Sequence, residues 1–303
     1  MSFQLPQLHV GQPLTCNSLT VFPLYAKAGK PADYQLADEA IAAATVAVQE
    51  ISDGGSVPEL LVENTGDCRV LFLEGEELRG AKQNRVLNTS ILVPAKSKIK
   101  VPVSCVEQGR WRHISKHFAS GNVRSPHSLH YNLKASVSES LKRQAGHRSD
   151  QGAVWEAVNE LHDAFQLSSP TSAMSDAYDG LADKMTEYRE KLKYPEGAVG
   201  VALAVGAKVV CVDVFDKAAT CQKAWDRLLS GCIVDALEAT APENKVDAKI
   251  VEQVLGESNA TVWTETPAVG EGQEYRAEFN GSIGSALSLD EAVVHLNVLT
   301  APA

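Results

Sequence analysis

The chain has no long apolar run: none of its 303 residues lies in a stretch approaching the ~20 apolar positions that a membrane-spanning helix needs, which argues against an integral membrane protein. The start, MSFQLPQLHVGQPL, lacks both the basic residues and the apolar core of a signal peptide, so the sequence predicts a cytoplasmic protein. Paired cysteines are missing too. Cys16, Cys68, Cys105, Cys211, Cys221 and Cys232 are scattered singly with no C-x-x-C, which points to reduced thiols rather than a disulfide framework or a zinc knuckle. No Walker motif, H-E-x-x-H or G-x-S-x-G occurs, and Gly200–Gly206 flanks a strand-like run rather than forming a dinucleotide turn. Nothing in these motifs names a cofactor. Repeats and low-complexity segments are also absent. What is present is globular: 44% hydrophobic and 22% charged residues, enough for a sizeable core in one large or two ordinary domains.

A net charge of −10 argues against a dedicated double-stranded DNA binder. The charge is unevenly spread. Between Gln108 and Arg148 stand eight basic residues (Arg110, Arg112, Lys116, Arg124, Lys134, Lys142, Arg143, Arg148) and one acid, Glu139, leaving 20 basic and 37 acidic residues elsewhere. His113, His117, His127, His130 and His147 share the segment, where falling pH is expected to add charge. Such a belt suits an anionic ligand, or it neutralises acidic parts of its own fold. Single-stranded RNA is a further candidate partner, weakened by an aromatic content of 6%. His113 and His117 are four apart but have no third ligand nearby, so no metal site is predicted.

The pattern along the chain predicts an α+β protein. Leu19–Tyr25 reads as a strand and Ala37–Glu50 as an Ala-rich helix followed by the Gly54-Gly55 loop. Val57–Glu63, Cys68–Leu73, Val86–Val93 and Lys98–Cys105 read as closely spaced antiparallel strands of a sandwich or open barrel. Ser149-Asp150 caps one predicted helix, and a second runs from about Ser172 to Leu192. Beyond it come a hairpin across Gly206-Ala207, a helix through CQKAWDRLLSGCIVDAL, and short strands at ATVWTE, YRAEFNG and VVHLNVL. The predicted parts are a β-rich 1–112, a basic and helical 113–195 and a smaller α+β 196–303, packed as one unit.

One stretch stands out. Between Leu71 and Pro94, LFLEGEELRGAKQNRVLNTSILVP sets Glu74, Glu76, Glu77, Arg79, Lys82, Gln83, Asn84 and Arg85 between two strand-like pieces, far more polarity than a hairpin turn requires. It is either an exposed, salt-bridged loop or a site. The run EGEELRGAKQNRVLNTSILVP, with VPVSCVEQGRW and HRSDQGAVW after it, resembles the ARG and rhodanese-phosphatase-superfamily-associated protein family, a bacterial group named for its neighbours rather than its chemistry. The resemblance covers the chain up to the helix containing Trp225. It implies, through the link to ADP-ribosylglycohydrolases, a role in ADP-ribose or NAD metabolism, with pathway partners of that kind.

The residues themselves supply the parts of a phosphate–sugar site. Lys82 and Arg85 suit pyrophosphate oxygens, while Gln83, Asn84 and Asn88 offer paired donors and acceptors for ribose hydroxyls or a base edge. Arg110 and Trp111 add a further cation and a stacking surface, or Trp111 is a core residue. Arg148, Ser149, Asp150 and Gln151 open a helix whose first amides suit an anion, although capping alone accounts for Ser149 and Asp150. Glu74, Glu76 and Glu107 are the candidate acids and bases; Glu74, at the strand end, is taken as a ligand-binding residue, and Glu77 points to the opposite face from Glu76 in an extended chain. Glu76 and Glu107 are therefore the expected acid–base pair for hydrolysis or isomerisation at a ribose, and a non-catalytic nucleotide sensor is the alternative. Cys105, a lone buried-type cysteine, is expected to be inert.

Overall fold

The computed structural model describes residues 3–27, 29–239 and 246–302. The predicted α+β class holds, with strands and helices both extensive. The N-terminal segment carries β1 (Leu8–Val10), β2 (Leu14–Cys16) and β3 (Leu19–Ala26). There follow β4 (Gln35–Leu36), α1 (Ala37–Ala42), β5 (Val46–Glu50), β6 (Glu59–Asn64), β7 (Val70–Phe72), β8 (Glu76–Gly80), β9 (Arg85–Leu87), β10 (Ile91–Val93), β11 (Ser97–Cys105) and β12 (Phe118–Arg124). Three helices come next: α2 (His127–Lys142), α3 (Gln151–Ala164) and α4 (Met174–Lys191). The C-terminal part holds β13 (Gly200–Val205), β14 (Lys208–Phe215), α5 (Ala218–Glu238), α6 (Ala248–Ala260), β15 (Thr264–Thr266), β16 (Gln273–Phe279), β17 (Ser282–Leu289) and β18 (Ala292–Thr300).

Two compact units form, and they interleave along the chain: a terminal unit of residues 1–32, 181–267 and 272–303, and a central unit of residues 33–180 and 268–271. The chain passes between them after residue 32, within α4, and on either side of residues 268–271. In the terminal unit the order β1-β3-β13-β14-β18-β17-β16-β15, with β2 also on β3, makes one sheet. Its N-terminal strands join it because β3 pairs with β13 across most of the chain, Leu24 opposite Gly200 and Leu19 opposite Val205. Phe22, Leu24, Ala202, Val212, Val214, Leu296 and Val298 fill its core with Val251 of α6.

The central unit has a six-stranded sheet, β12-β8-β9-β11-β6-β5, and a three-stranded one, β10-β7-β4. Val70 and Phe72 of β7 and Ile91 and Val93 of β10 share a single apolar core with Val48, Leu60, Val62, Leu87, Val101 and Val103 of the larger sheet. Alternation explains the arrangement, since β5 and β6 bury every second residue.

Several local expectations need correction. The helix predicted over Ala37–Glu50 ends at Ala42; Ala44 takes a left-handed φ of 55°, and Val46–Glu50 forms β5 against β6, because Val46 and Val48 bury better on a pleated face. The single strand predicted over Val86–Val93 is two strands in two sheets, broken where the Asn88 amide donates to the Pro102 carbonyl. The segment 113–195 holds a strand, β12, besides its helices. His113 and His117 lie in irregular chain before it. Helix α6 and strand β17 (SIGSALSL) were not legible, the latter because small residues carry little strand propensity of their own.

Candidate ligand-binding site

The polar stretch is buried. β8 and β9 are the arms of a hairpin with Ala81–Asn84 at its turn, and β9 continues onto β11, so register places Leu78 opposite Arg85 and Arg85 opposite Cys105. Directly opposed residues share a face with their Cβ atoms about 5 Å apart. Burial lifts the Cys105 thiol above its usual range against the pull of the Arg85 cation, and the thiol donates to Gln83 Oε1 at 3.1 Å.

Much of the polarity is spent on shaping the turn. Arg110 grips Glu107 with two prongs of 2.6 Å and donates also to the carbonyls of Ala81 (2.7 Å), Arg112 (3.1 Å) and Gly80 (3.3 Å) and to Asn84 Oδ1 (3.2 Å). The Glu107 carboxylate further accepts from the Asn84 amide and the Thr171 hydroxyl, both at 2.9 Å. Burial disfavours its charge, but the hydrogen bonds from Arg110, Asn84 and Thr171 outweigh burial and hold its pKa below the usual value. Gln83 Nε2 donates to the Glu107 carbonyl at 2.9 Å and Asn84 Nδ2 to Ser175 at 3.1 Å. Glu107, Arg110, Gln83 and Asn84 thus act as a buckle.

The start of α3 is tied to the same sheet. The Gln151 side chain accepts from the Cys105 amide and donates to the Cys105 carbonyl, both at 2.8 Å, occupying the place of a neighbouring strand. Asp150 caps α3 through the amides of Gly152 and Ala153. Ser149 meets Ser104 at 2.5 Å, Ser104 donates to Asn88 Oδ1 at 2.6 Å, and Asn88 Nδ2 reaches the His147 carbonyl at 2.8 Å. Arg148 is exposed.

A different group keeps free hydrogen-bonding capacity. Arg85 is 0% exposed, and its Nη1 donates to the Gln83 carbonyl (3.1 Å), Gln83 Oε1 (3.2 Å) and the Asn84 carbonyl (3.4 Å). Its Nε and Nη2 have no hydrogen-bond partner among the described residues, and neither has Oε2 of Glu50. Glu50 Oε1 stands 3.9 Å from Arg85 Nη2 and accepts the Lys82 amide at 3.3 Å. Burial lowers the Arg85 pKa, with Cys105 and Glu50 opposing that effect. Trp111 lies over both cations, its ring centre 5.3 Å from Lys82 Nζ and 5.8 Å from the Arg85 guanidinium carbon, and is 47% exposed. Glu50 also lines an open groove of about 650 Å³, with residues 49–53 on one side and 113–116 on the other. The sequence reading missed Glu50 because it took β5 for helix; the alternation in Val46-Ala-Val48-Gln-Glu50 was the signal available.

The family description "ARG and Rhodanese-Phosphatase-superfamily-associated Protein domain", ARPP-1, matches residues 7–299. The chain belongs to this family. The match runs through the C-terminal strands, well past the helix of Trp225 at which the sequence resemblance stopped. Neither a curated protein nor a solved structure gives a significant match.

The other carboxylates of this ARPP-1 domain have separate surroundings. Glu76 is buried at the end of β8 away from the turn, opposite Arg124 of β12. Glu74 accepts from Lys134 Nζ at 3.0 Å, inside the protein. Glu77, set aside by the sequence reading, is fully enclosed; burial pushes its pKa to about 7 although Arg79 Nε donates to it at 2.7 Å. The basic belt is only partly a surface: Arg110, Arg124, Lys134, His127, His130 and His147 are buried. Burial drives the His130 pKa down to about 3, so falling pH does not charge it as expected. No helix among the described residues is long and apolar enough to cross a membrane.

Proposed function

We propose that this ARPP-1 protein binds an ADP-ribose-like or related nucleotide metabolite at the Lys82–Arg85–Trp111 cluster and processes it by carboxylate acid–base hydrolysis or isomerisation at the ribose, within NAD or ADP-ribose metabolism. What carries the reading is the buried Arg85 edge: two guanidinium donors without a hydrogen-bond partner among the described residues, one of them 3.9 Å from Glu50, beside Lys82 and under a half-exposed indole. Burying unpaired donors costs about 1–3 kcal/mol each, a cost that a ligand's oxygens relieve. An indole beside two cations is the equipment for a base and a phosphate. Glu50, with an unpartnered oxygen in the same cluster, is better placed for proton transfer than Glu107, whose oxygens are filled.

A non-catalytic nucleotide sensor is the second reading, and the saturation of Glu107 favours it, because one of the two expected acid–base groups is withdrawn from chemistry. Calorimetry and thermal shift with ADP-ribose, NAD, AMP and nicotinamide mononucleotide test binding. At least one ligand is expected to bind, and Lys82→Met to weaken it ten- to a hundredfold, the loss of a charge-assisted bond. Silence from all four at millimolar concentration overturns the proposal. Product formation on incubation separates enzyme from sensor.

A further inference from the structure

Resting on that reading, we infer that the buried Arg85–Glu50 pair recognises the vicinal diol of a ribose and that the phosphate belongs to Lys82. The division follows from charge and geometry. With Nη1 held by Gln83 and Asn84, Arg85 presents its Nε–Nη2 edge, two donors side by side. Glu50 adds an acceptor, Oε2, and its other oxygen stands 3.9 Å from Nη2. Two donors with one acceptor match a group whose oxygens accept and whose hydroxyl hydrogens donate. They match a phosphate poorly: the Glu50 carboxylate neutralises the cation and repels an anion placed on that edge.

Lys82 is the reverse case. Its backbone amide, not its ammonium, meets Glu50, and the ammonium has no carboxylate ion pair among the described residues. The ammonium, on a side chain that is itself buried, lies over the Trp111 ring, where an anion meets a positive charge with no carboxylate paired to it among the described residues. Trp111 covers both stations and is half exposed, so a ligand reaches Arg85 by displacing the indole or sliding beneath it. Gly55 keeps that cover close: at its φ of +76° an added Cβ would come 3.1 Å from both Lys82 and Trp111.

The probes are AMP, 2′-deoxy-AMP and inorganic pyrophosphate, titrated into wild type, Glu50→Gln and Lys82→Met by calorimetry, with Trp111→Phe identifying the indole's fluorescence. Wild type is expected to prefer AMP over 2′-deoxy-AMP about tenfold or more, the loss of one hydrogen bond to a charged group. Glu50→Gln should abolish the preference and leave pyrophosphate binding unchanged or tighter, while Lys82→Met weakens all three alike. Glutamine retains an acceptor for the Lys82 amide, and Glu50→Asp, which should reduce the preference in part, replaces it if the first variant does not fold. If Glu50→Gln tightens all three ligands by one factor, Glu50 merely repels anions and the inference falls while the binding site stands. If wild type binds AMP and 2′-deoxy-AMP equally, the inference likewise falls. If wild type binds none of the probes, the reading under it falls first.

Discussion

Arg110 closes a two-pronged fork on Glu107, Nε to Oε1 and Nη2 to Oε2, both at 2.6 Å and both buried. Removing one partner strands the other charge away from water. Arg110→Ala is therefore expected to cost about 3–5 kcal/mol in urea denaturation, with Arg110→Lys recovering only part because an ammonium cannot fork. Glu107→Gln should lower stability and ligand binding together, whereas a group acting only in chemistry would lose turnover alone. An unchanged unfolding midpoint in Arg110→Ala would show that the fork does not hold the turn.

Gln151 stands in for a strand against Cys105 through two 2.8 Å bonds. Gln151→Ala leaves a backbone donor and acceptor without partners and is expected to destabilise by roughly 2–4 kcal/mol. Hydrogen exchange should rise at the Cys105 amide before it rises in β6. Protection of that amide equal to wild type refutes the assignment.

Glu77 makes stability depend on pH. Its pKa is about 7 in the folded protein and 4.5 in its ordinary state, so the folded chain keeps a proton that the unfolded chain releases. Stability from this group is full below pH 4.5, falls as pH rises toward 7 and is flat above; the gap corresponds to about 3 kcal/mol. Glu77→Gln keeps an acceptor for Arg79 and should flatten the curve between those values, gaining stability at pH 8. Identical slopes for wild type and variant would place the titration elsewhere.

Gly121 lies against Glu77 at the irregularity in the β8–β12 pairing. A Cβ there would come 2.7 Å from Glu77 Oε2 and 3.0 Å from its carbonyl oxygen, and backbone cannot step aside as a flexible side chain can. Gly121→Ala is expected to cost about 1–3 kcal/mol. A melting temperature equal to wild type in Gly121→Ala would refute the close fit.

The sequence by itself determined the α+β class, the strands now seen at Glu59–Asn64, Val70–Phe72 and Ser97–Cys105 and the exceptional stretch at Glu74–Arg85, because hydrophobic alternation and clustered charge are local properties. It also placed Lys82, Arg85 and Trp111 among the candidates, by residue type alone. Only tertiary structure decided which of them keep free donors. Arg110 and Arg85 look alike in sequence, yet one spends its guanidinium on Glu107 and carbonyl oxygens while the other holds two donors beside Glu50, from a strand 35 positions earlier. The interleaving of the two units was likewise illegible, since β3 and β13 find each other across some 180 residues and such pairing leaves no local mark. A side chain's chemistry is written in its type; whether that chemistry is spent on the fold depends on partners that the chain brings from afar.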